Sequence, residues 1–186
     1  SCKALGLSAP KTVHATVQES WKNSPARHAD TWPQSDHITW IFPGTTNTAK
    51  DEITVEWFDG LIYPPEEAQK WYPGKTYPPE SALMVGTEGA VLIPNGSGAM
   101  LLPRDKYKGT AQPKFDPRNH YHHFLDAIIG TAKNQSYFEQ TGPMTETILL
   151  GTVAIRNPGE TLHWDTKKPA VTNNHAAHNL LRRKYR

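Results

Sequence analysis

The chain has 186 residues, with 20 Lys and Arg against 18 Asp and Glu and a formal net charge of +2 at pH 7. That balance supplies no one-signed field to draw nucleic acid or anionic lipid onto a face, and a single cysteine, Cys2, excludes an intrachain disulfide and a cysteine zinc site. No apolar run approaches the roughly 18 residues of a membrane-spanning helix and no signal-peptide pattern opens the chain, so a soluble protein of the cytoplasm or periplasm is expected, long enough for one domain with its own core.

At the start, Lys3-Ala4-Leu5 read as the last turn of a helix stopped by Gly6, with Pro10 beyond. A helix tail without its body suggests a piece of something longer. "KTVHATVQES" then alternates, with Val13, Ala15 and Val17 on one side and Thr12, His14, Thr16 and Gln18 on the other, which predicts a half-buried strand over 11–19. "SDHITWIFPG" and "DEITVEWFDG" repeat the pattern over 36–42 and 51–58, the latter with Ile53, Val55 and Trp57 opposite Thr54, Glu56 and Phe58. The intervening "WKNSPARHADTWPQ", polar and proline-containing, reads as a loop. From Leu61 to Pro79 two Pro-Pro pairs forbid a regular ladder and predict a long excursion, whose Trp71, Tyr72 and Tyr77 either pin it to the sheet or stack on a ligand.

The stretch "LMVGTEGAVLIPNGSGAMLLP" has two readings, a phosphate-cradling loop or a plain hairpin. A phosphate loop sets its glycines between a strand and a helix and brings a lysine to the anion. Here Gly86-Thr87-Glu88-Gly89 lies between two strand-like runs and offers an acid, so it reads as a hairpin turn, and Asn95-Gly96-Ser97-Gly98 as a second.

"PRNHYHHFLDAIIGTAKN" places Tyr121, Phe124, Leu125 and Ile128 on one helical stripe ended by Gly130. "GPMTETILLGTVAIRNPG" reads as a second helix, opened by Pro143 and closed near Asn157, with Gly151 allowing close packing. A short strand in "ETLHWD" and a last short helix in "NNHAAHNLLRR" follow, and the basic "LRRKYR" reads as a solvated end. Strands first and helices later, without strand-helix alternation, define an α+β chain built on an open, mostly antiparallel sheet with helices on one face.

Nine histidines raise the question of a metal. His120 and His123 share a helix side while His122 points elsewhere, and His175 and His178 stand three apart, but neither cluster has a third ligand at a fixed spacing. Polar helix faces account for them, and no metal residue is assigned. Asp116 and His120 are four apart with Pro117 between them, which leaves a shared face open. No G-x-S-x-G elbow, H-E-x-x-H or Rossmann glycine fingerprint occurs, so no catalytic residue is assigned. Candidates for lining a substrate are Trp57 and Asp59 at a strand end and the helix-borne His120 and His123. Each also has a structural reading, Trp57 as core and the histidines as partners of local backbone.

Six stretches in fixed order resemble the C-terminal domain of bacterial Gfo/Idh/MocA oxidoreductases: "KALGLSAPKTV", "VEWFDGLIYPP", "VGTEGAVLIPNG", "HYHHFLDAIIG", "GPMTETILLGTVAIRNPGETLHWD" and "TNNHAAHNLLRRKYR". The family is named after glucose-fructose oxidoreductase and inositol dehydrogenase, and the resemblance covers Lys3 to Arg186. It implies that residues 1–186 form a single domain that binds a sugar or polyol and carries subunit contacts, beside a Rossmann domain holding NAD or NADP. That cofactor domain is absent from this chain, so its partner is a Rossmann domain on the same or a separate polypeptide. The family's catalytic lysine lies in the Rossmann part and its Asp-x-x-x-His pair just before the position where this chain begins. Asp116 and His120 copy that spacing in a different motif and do not inherit the role. The chain alone is expected to bind no nicotinamide and to be inactive, because the hydride carrier and the proton-moving groups lie elsewhere. A homo-oligomer paired through the sheet is expected. The alternative is a stand-alone, non-catalytic module that binds carbohydrate or protein.

Overall fold

The structure is a computed structural model and describes residues 2–74, 76–111, 113–114 and 117–182. Its residues divide into two compact units, one of Ser1–Tyr77 with Pro143–Arg186 and one of Pro78–Gly142.

The first unit is built on a five-stranded antiparallel sheet in the order β3-β2-β1-β7-β8. Its strands are β1 (Thr12–Val17), β2 (Asp36–Pro43), β3 (Glu52–Asp59), β7 (Thr161–Asp165) and β8 (Ala170–Val171). The alternation read from the sequence appears as alternating burial. Val13 faces Trp40 and Ala15 faces Ile38 across β1 and β2, while Trp40 faces Val55 and Phe42 faces Ile53 across β2 and β3. This row joins Leu150, Val153, Ala154 and Ile155 of helix α6 (Phe138–Ile155) in one apolar cluster. Gly151 lets the helix come close, since a Cβ there would stand 2.6 Å from Trp40 Cζ2. The indole Nε1 of Trp40 donates to Thr147 O at 3.0 Å, so the ring is held both by packing and by a hydrogen bond.

Smaller helices complete the unit. α1 (Cys2–Leu5) ends at Gly6 with φ +66°, the left-handed stop expected from the sequence. The segment expected to be a loop between β1 and β2 contains α2 (Glu19–Lys22) and α3 (Pro25–Asp30). Pro25 is part of that proline-containing segment. It stands at the first turn after Ser24, where its fixed φ suits a helix and its missing N–H costs nothing. Trp21 of α2 is buried and donates to Thr31 Oγ1 at 3.1 Å, and Arg156 lies over the Trp32 ring at 4.1 Å while donating to His28 O. After β3, α4 (Glu66–Gln69) interrupts the proline-rich excursion, and α7 (His175–Asn179) closes the described chain with Asn174 as its cap, accepting from Ala177 N.

The second unit holds a separate three-stranded antiparallel sheet, β4 (Ser81–Val85), β5 (Ala90–Pro94) and β6 (Met100–Leu102), and α5 (His120–Ile128). The single sheet expected from the sequence is therefore two sheets. Both successive turns join strands, with Gly86 N donating to Gly89 O at 2.7 Å in the first. α5 is capped by Asn119, whose Oδ1 accepts from Tyr121 N and His122 N. Its apolar stripe forms as expected and stays exposed, and no residue of α5 is buried. α6 begins five residues before the expected start, so Pro143 lies inside the helix. The first turn closes without it, through Thr141 N to Tyr137 O at 3.0 Å, and proline removes only its own N–H from the ladder. No helix of the described residues is long and apolar enough to cross a membrane.

Candidate functional site

Trp57 and Asp59 share one side of β3, and the register brings a third side chain to them. Asp36 lies directly opposite Asp59, and Ile38 opposite Trp57. Asp36 stands on the side of β2 that holds Ile38, Trp40 and Phe42, and it is only 8 % exposed. Its Oδ1 is buried with no hydrogen-bond partner among the described residues. Burial, and then the charge of Asp59, push the Asp36 carboxyl above the usual carboxylate range, with His37 pulling the other way.

The backbone around the pair is fixed by its own contacts. Asp59 Oδ1 accepts from Gly60 N at 2.6 Å, and Gly60 turns the chain with φ +65° where a Cβ would meet Gln34 O at 1.8 Å. Only glycine fits there. Leu61 follows, also left-handed at φ +74°. Gln18 braces the strand end from β1, its Oε1 accepting from Gln34 N at 3.0 Å and its N–H donating to Ser35 O at 3.2 Å. Ile53 and Val55 pack on the core, whereas Trp57 remains 56 % exposed. The core reading of Trp57 does not hold. An exposed indole beside a two-carboxyl strand end can offer an apolar face together with acceptors and a donor.

His120 and His123 belong to α5 in the second unit. His120 is exposed with its ring 4.0 Å from that of Tyr121, and His123 is half-buried, its backbone N–H bonded to Asn119 O at 3.0 Å. Asp116 lies outside the described residues. His175 Nδ1 pairs with Asn179 Nδ2 at 3.2 Å, and no group of three or more His, Cys, Asp or Glu among the described residues could hold a metal ion.

The aromatic excursion is pinned to itself. Tyr77 donates to Ala68 O at 2.5 Å, Gln69 Nε2 donates to Pro64 O at 2.6 Å, and the rings of Tyr72 and Tyr77 meet edge-on at 5.8 Å. Tyr63, Pro64, Gln69, Gly74, Thr76 and Tyr77 line a shallow cleft of about 430 Å³ there.

The Gly86–Gly89 turn leads from strand to strand, and at Gly89 the space a phosphate cradle would keep open is filled by Leu102 O, 2.4 Å from a built Cβ, and by the Tyr107 hydroxyl at 2.6 Å. Sequence reading missed Asp36, although its position among the inward residues of "SDHITWIFPG" marks it as a carboxylate on an apolar face. Comparison with family models, curated proteins and solved structures finds no match to this chain.

Proposed function

We propose that this chain is the substrate-side and assembly domain of a nicotinamide-dependent oxidoreductase acting on a sugar or polyol. The observation that carries the reading is the strand end where Trp57, Asp59 and Asp36 meet. A polyhydroxylated ring has an apolar face of C–H groups and a rim of hydroxyls. The exposed indole of Trp57 stacks on the first, and the Asp59 carboxylate accepts from the second. Burial and the charge of Asp59 disfavour a negative charge on Asp36, and the exposed Asp59 carboxylate is the acceptor. The role of this chain is to bind and orient the hydroxyl to be oxidised. Hydride and proton transfer belong to the Rossmann domain that the family resemblance implies.

The assembly half of the reading rests on the side of the sheet away from the core, which presents Thr12, Thr16, Thr39, Thr54, Ile41 and Phe58 on adjacent strands. β-branched and aromatic side chains on adjacent strands are suited to pack against another sheet about 10 Å away. A two-fold axis would set this face against its own copy.

Calorimetric titration with a panel of hexoses and cyclic polyols tests the binding half. Saturable heat with one member, lost in Trp57→Ala and reduced in Asp59→Asn, is the expected result. Heat that follows only polymeric carbohydrate would favour a stand-alone binding module, and no heat across the panel would remove the substrate role.

A further inference from the structure

The chain leaves β3 through a tight turn that continues the candidate site. Ile62 N donates to Asp59 O at 3.4 Å, so Gly60 and Leu61 are the central residues of a four-residue turn, both left-handed at φ +65° and +74°. Such a pair of angles favours glycine, asparagine or aspartate at each centre, because a larger side chain crowds the backbone there. Leu61 adopts it nonetheless, and its side chain is 86 % exposed, so packing within the chain does not offset the strain. Glu80, the other left-handed non-glycine among the described residues, is held by Asn95, whose backbone N–H donates to Glu80 O at 2.9 Å and whose Nδ2 donates to Glu80 Oε2 at 2.8 Å. A turn closed in this way keeps its ends within about 7 Å, which puts the Tyr63 Cα within about 11 Å of the Asp59 Cα. Tyr63, 59 % exposed, begins the cleft described above, whose lining residues all belong to the first unit. The bonds from Tyr77 to Ala68 O and from Gln69 to Pro64 O fix its shape without a ligand, and its volume of about 430 Å³ lies in the range of small-ligand sites. Tyr63 brings an aromatic ring to it, Gln69 an amide oxygen and Thr76 a hydroxyl.

We infer that the strand end and this cleft take successive rings of one ligand, and that the substrate is therefore a disaccharide or another glycoside. The inference rests on the reading of Trp57 and Asp59 proposed above and names its substrate class. The ring to be oxidised lies on Trp57 and Asp59, and the ring linked to it lies against Tyr63, which gives it an apolar surface while Thr76 and Gln69 meet its hydroxyls. Two linked pyranose rings cover the separation that the turn sets. Leu61 stands between the two at the linkage, where an apolar side chain shielded by the bound ligand recovers what its backbone gives up. A second ring in a preformed cleft adds contact without a second loss of translational freedom, so the linked pair binds more tightly than either ring alone.

The experiment is calorimetric titration of the 186-residue chain with each hexose of the panel and with its α- and β-linked disaccharides. The expected result is a dissociation constant about three- to tenfold lower for one disaccharide than for the hexose it contains. Tyr63→Ala should raise the disaccharide's constant to the hexose value and leave the hexose unchanged, and Thr76→Trp, which fills the cleft, should do the same. Equal constants for hexose and disaccharide, with Trp57→Ala still abolishing both, overturn the second ring and leave the strand-end reading standing. Heat from no sugar removes the strand-end reading and this inference with it. A disaccharide preference that survives both Tyr63→Ala and Thr76→Trp overturns the assignment of the cleft. Leu61→Gly relieves the turn, so it should raise the urea midpoint and yet weaken the disaccharide alone, and an unchanged disaccharide affinity overturns the place given to Leu61.

Discussion

Gly151 on α6 lies against the indole of Trp40 on β2, with room for no Cβ between them: the built atom would stand 2.6 Å from Trp40 Cζ2 and 3.3 Å from Ile38 Cδ1. The indole cannot swing aside freely, because its N–H is committed to Thr147 O. Gly151→Ala must therefore push the helix off the sheet or break that bond. The expected cost is about 1–3 kcal/mol. A lowered urea midpoint with an unchanged slope would report it, and a variant as stable as the parent would show that the helix can shift without loss.

The glycines of the second unit divide into those that are needed and those that are spare. At Gly89 a Cβ would collide with Leu102 O at 2.4 Å and with the Tyr107 ring, whose hydroxyl donates to Glu88 O at 2.8 Å. At Gly98 nothing lies within 4 Å and φ is not positive. Gly89→Ala should loosen the β4-β5-β6 sheet, seen as faster amide exchange at Val91 and Leu101, while Gly98→Ala should leave exchange unchanged. Equal effects at the two positions would mean that the close approach is not what holds the hairpin.

The same contrast shows what a sequence can and cannot reveal here. Strands β1, β2 and β3, both glycine turns and α5 were legible because alternation, turn residues and a helical stripe are local signals. Period-two alternation carries no record of which strands pair, so β4–β6 read as part of one sheet when they form their own. Pro25 and Pro143 misled in opposite ways. One opens a helix that had been taken as loop, and the other lies inside a helix it was expected to open. At the site, Trp57 and Asp59 were visible as strand-end polar and aromatic groups. Asp36 became part of it only through the cross-strand register, which is a tertiary fact.

Asn119 holds the first turn of α5 by accepting from Tyr121 N at 3.0 Å and His122 N at 3.1 Å. Because no residue of α5 is buried, tertiary packing contributes little to the helix and the cap contributes proportionately more. Asn119→Ala should cost the helix about 1 kcal/mol. Loss of protection at the amides of residues 123–129, with the β1 and β2 amides unaffected, is the expected exchange pattern. Unchanged protection would show that contacts beyond the cap hold the helix.

Asp36 gives the last prediction, and its sign follows from the direction of its shift. Burial and the neighbouring Asp59 raise its carboxyl above the usual range in the folded chain. The folded state therefore holds the proton more tightly than the unfolded one. The stabilisation this brings is present below the ordinary carboxylate range and is lost as pH rises through the raised folded value. Once ionised, Asp36 is a buried carboxylate whose Oδ1 has no donor among the described residues. Asp36→Asn removes that charge, and its amide N–H can donate toward Asp59 directly across the strands. The variant should be more stable than the parent at neutral pH by about 1–3 kcal/mol, the cost of an unsatisfied buried polar group. The advantage should shrink as pH falls and the parent's Asp36 takes up its proton. Urea midpoints of both proteins across the acid range measure it: converging curves are expected, and parallel curves, or a variant that is less stable at neutral pH, would mean that the Asp36 carboxylate is stabilised by a partner in the folded chain.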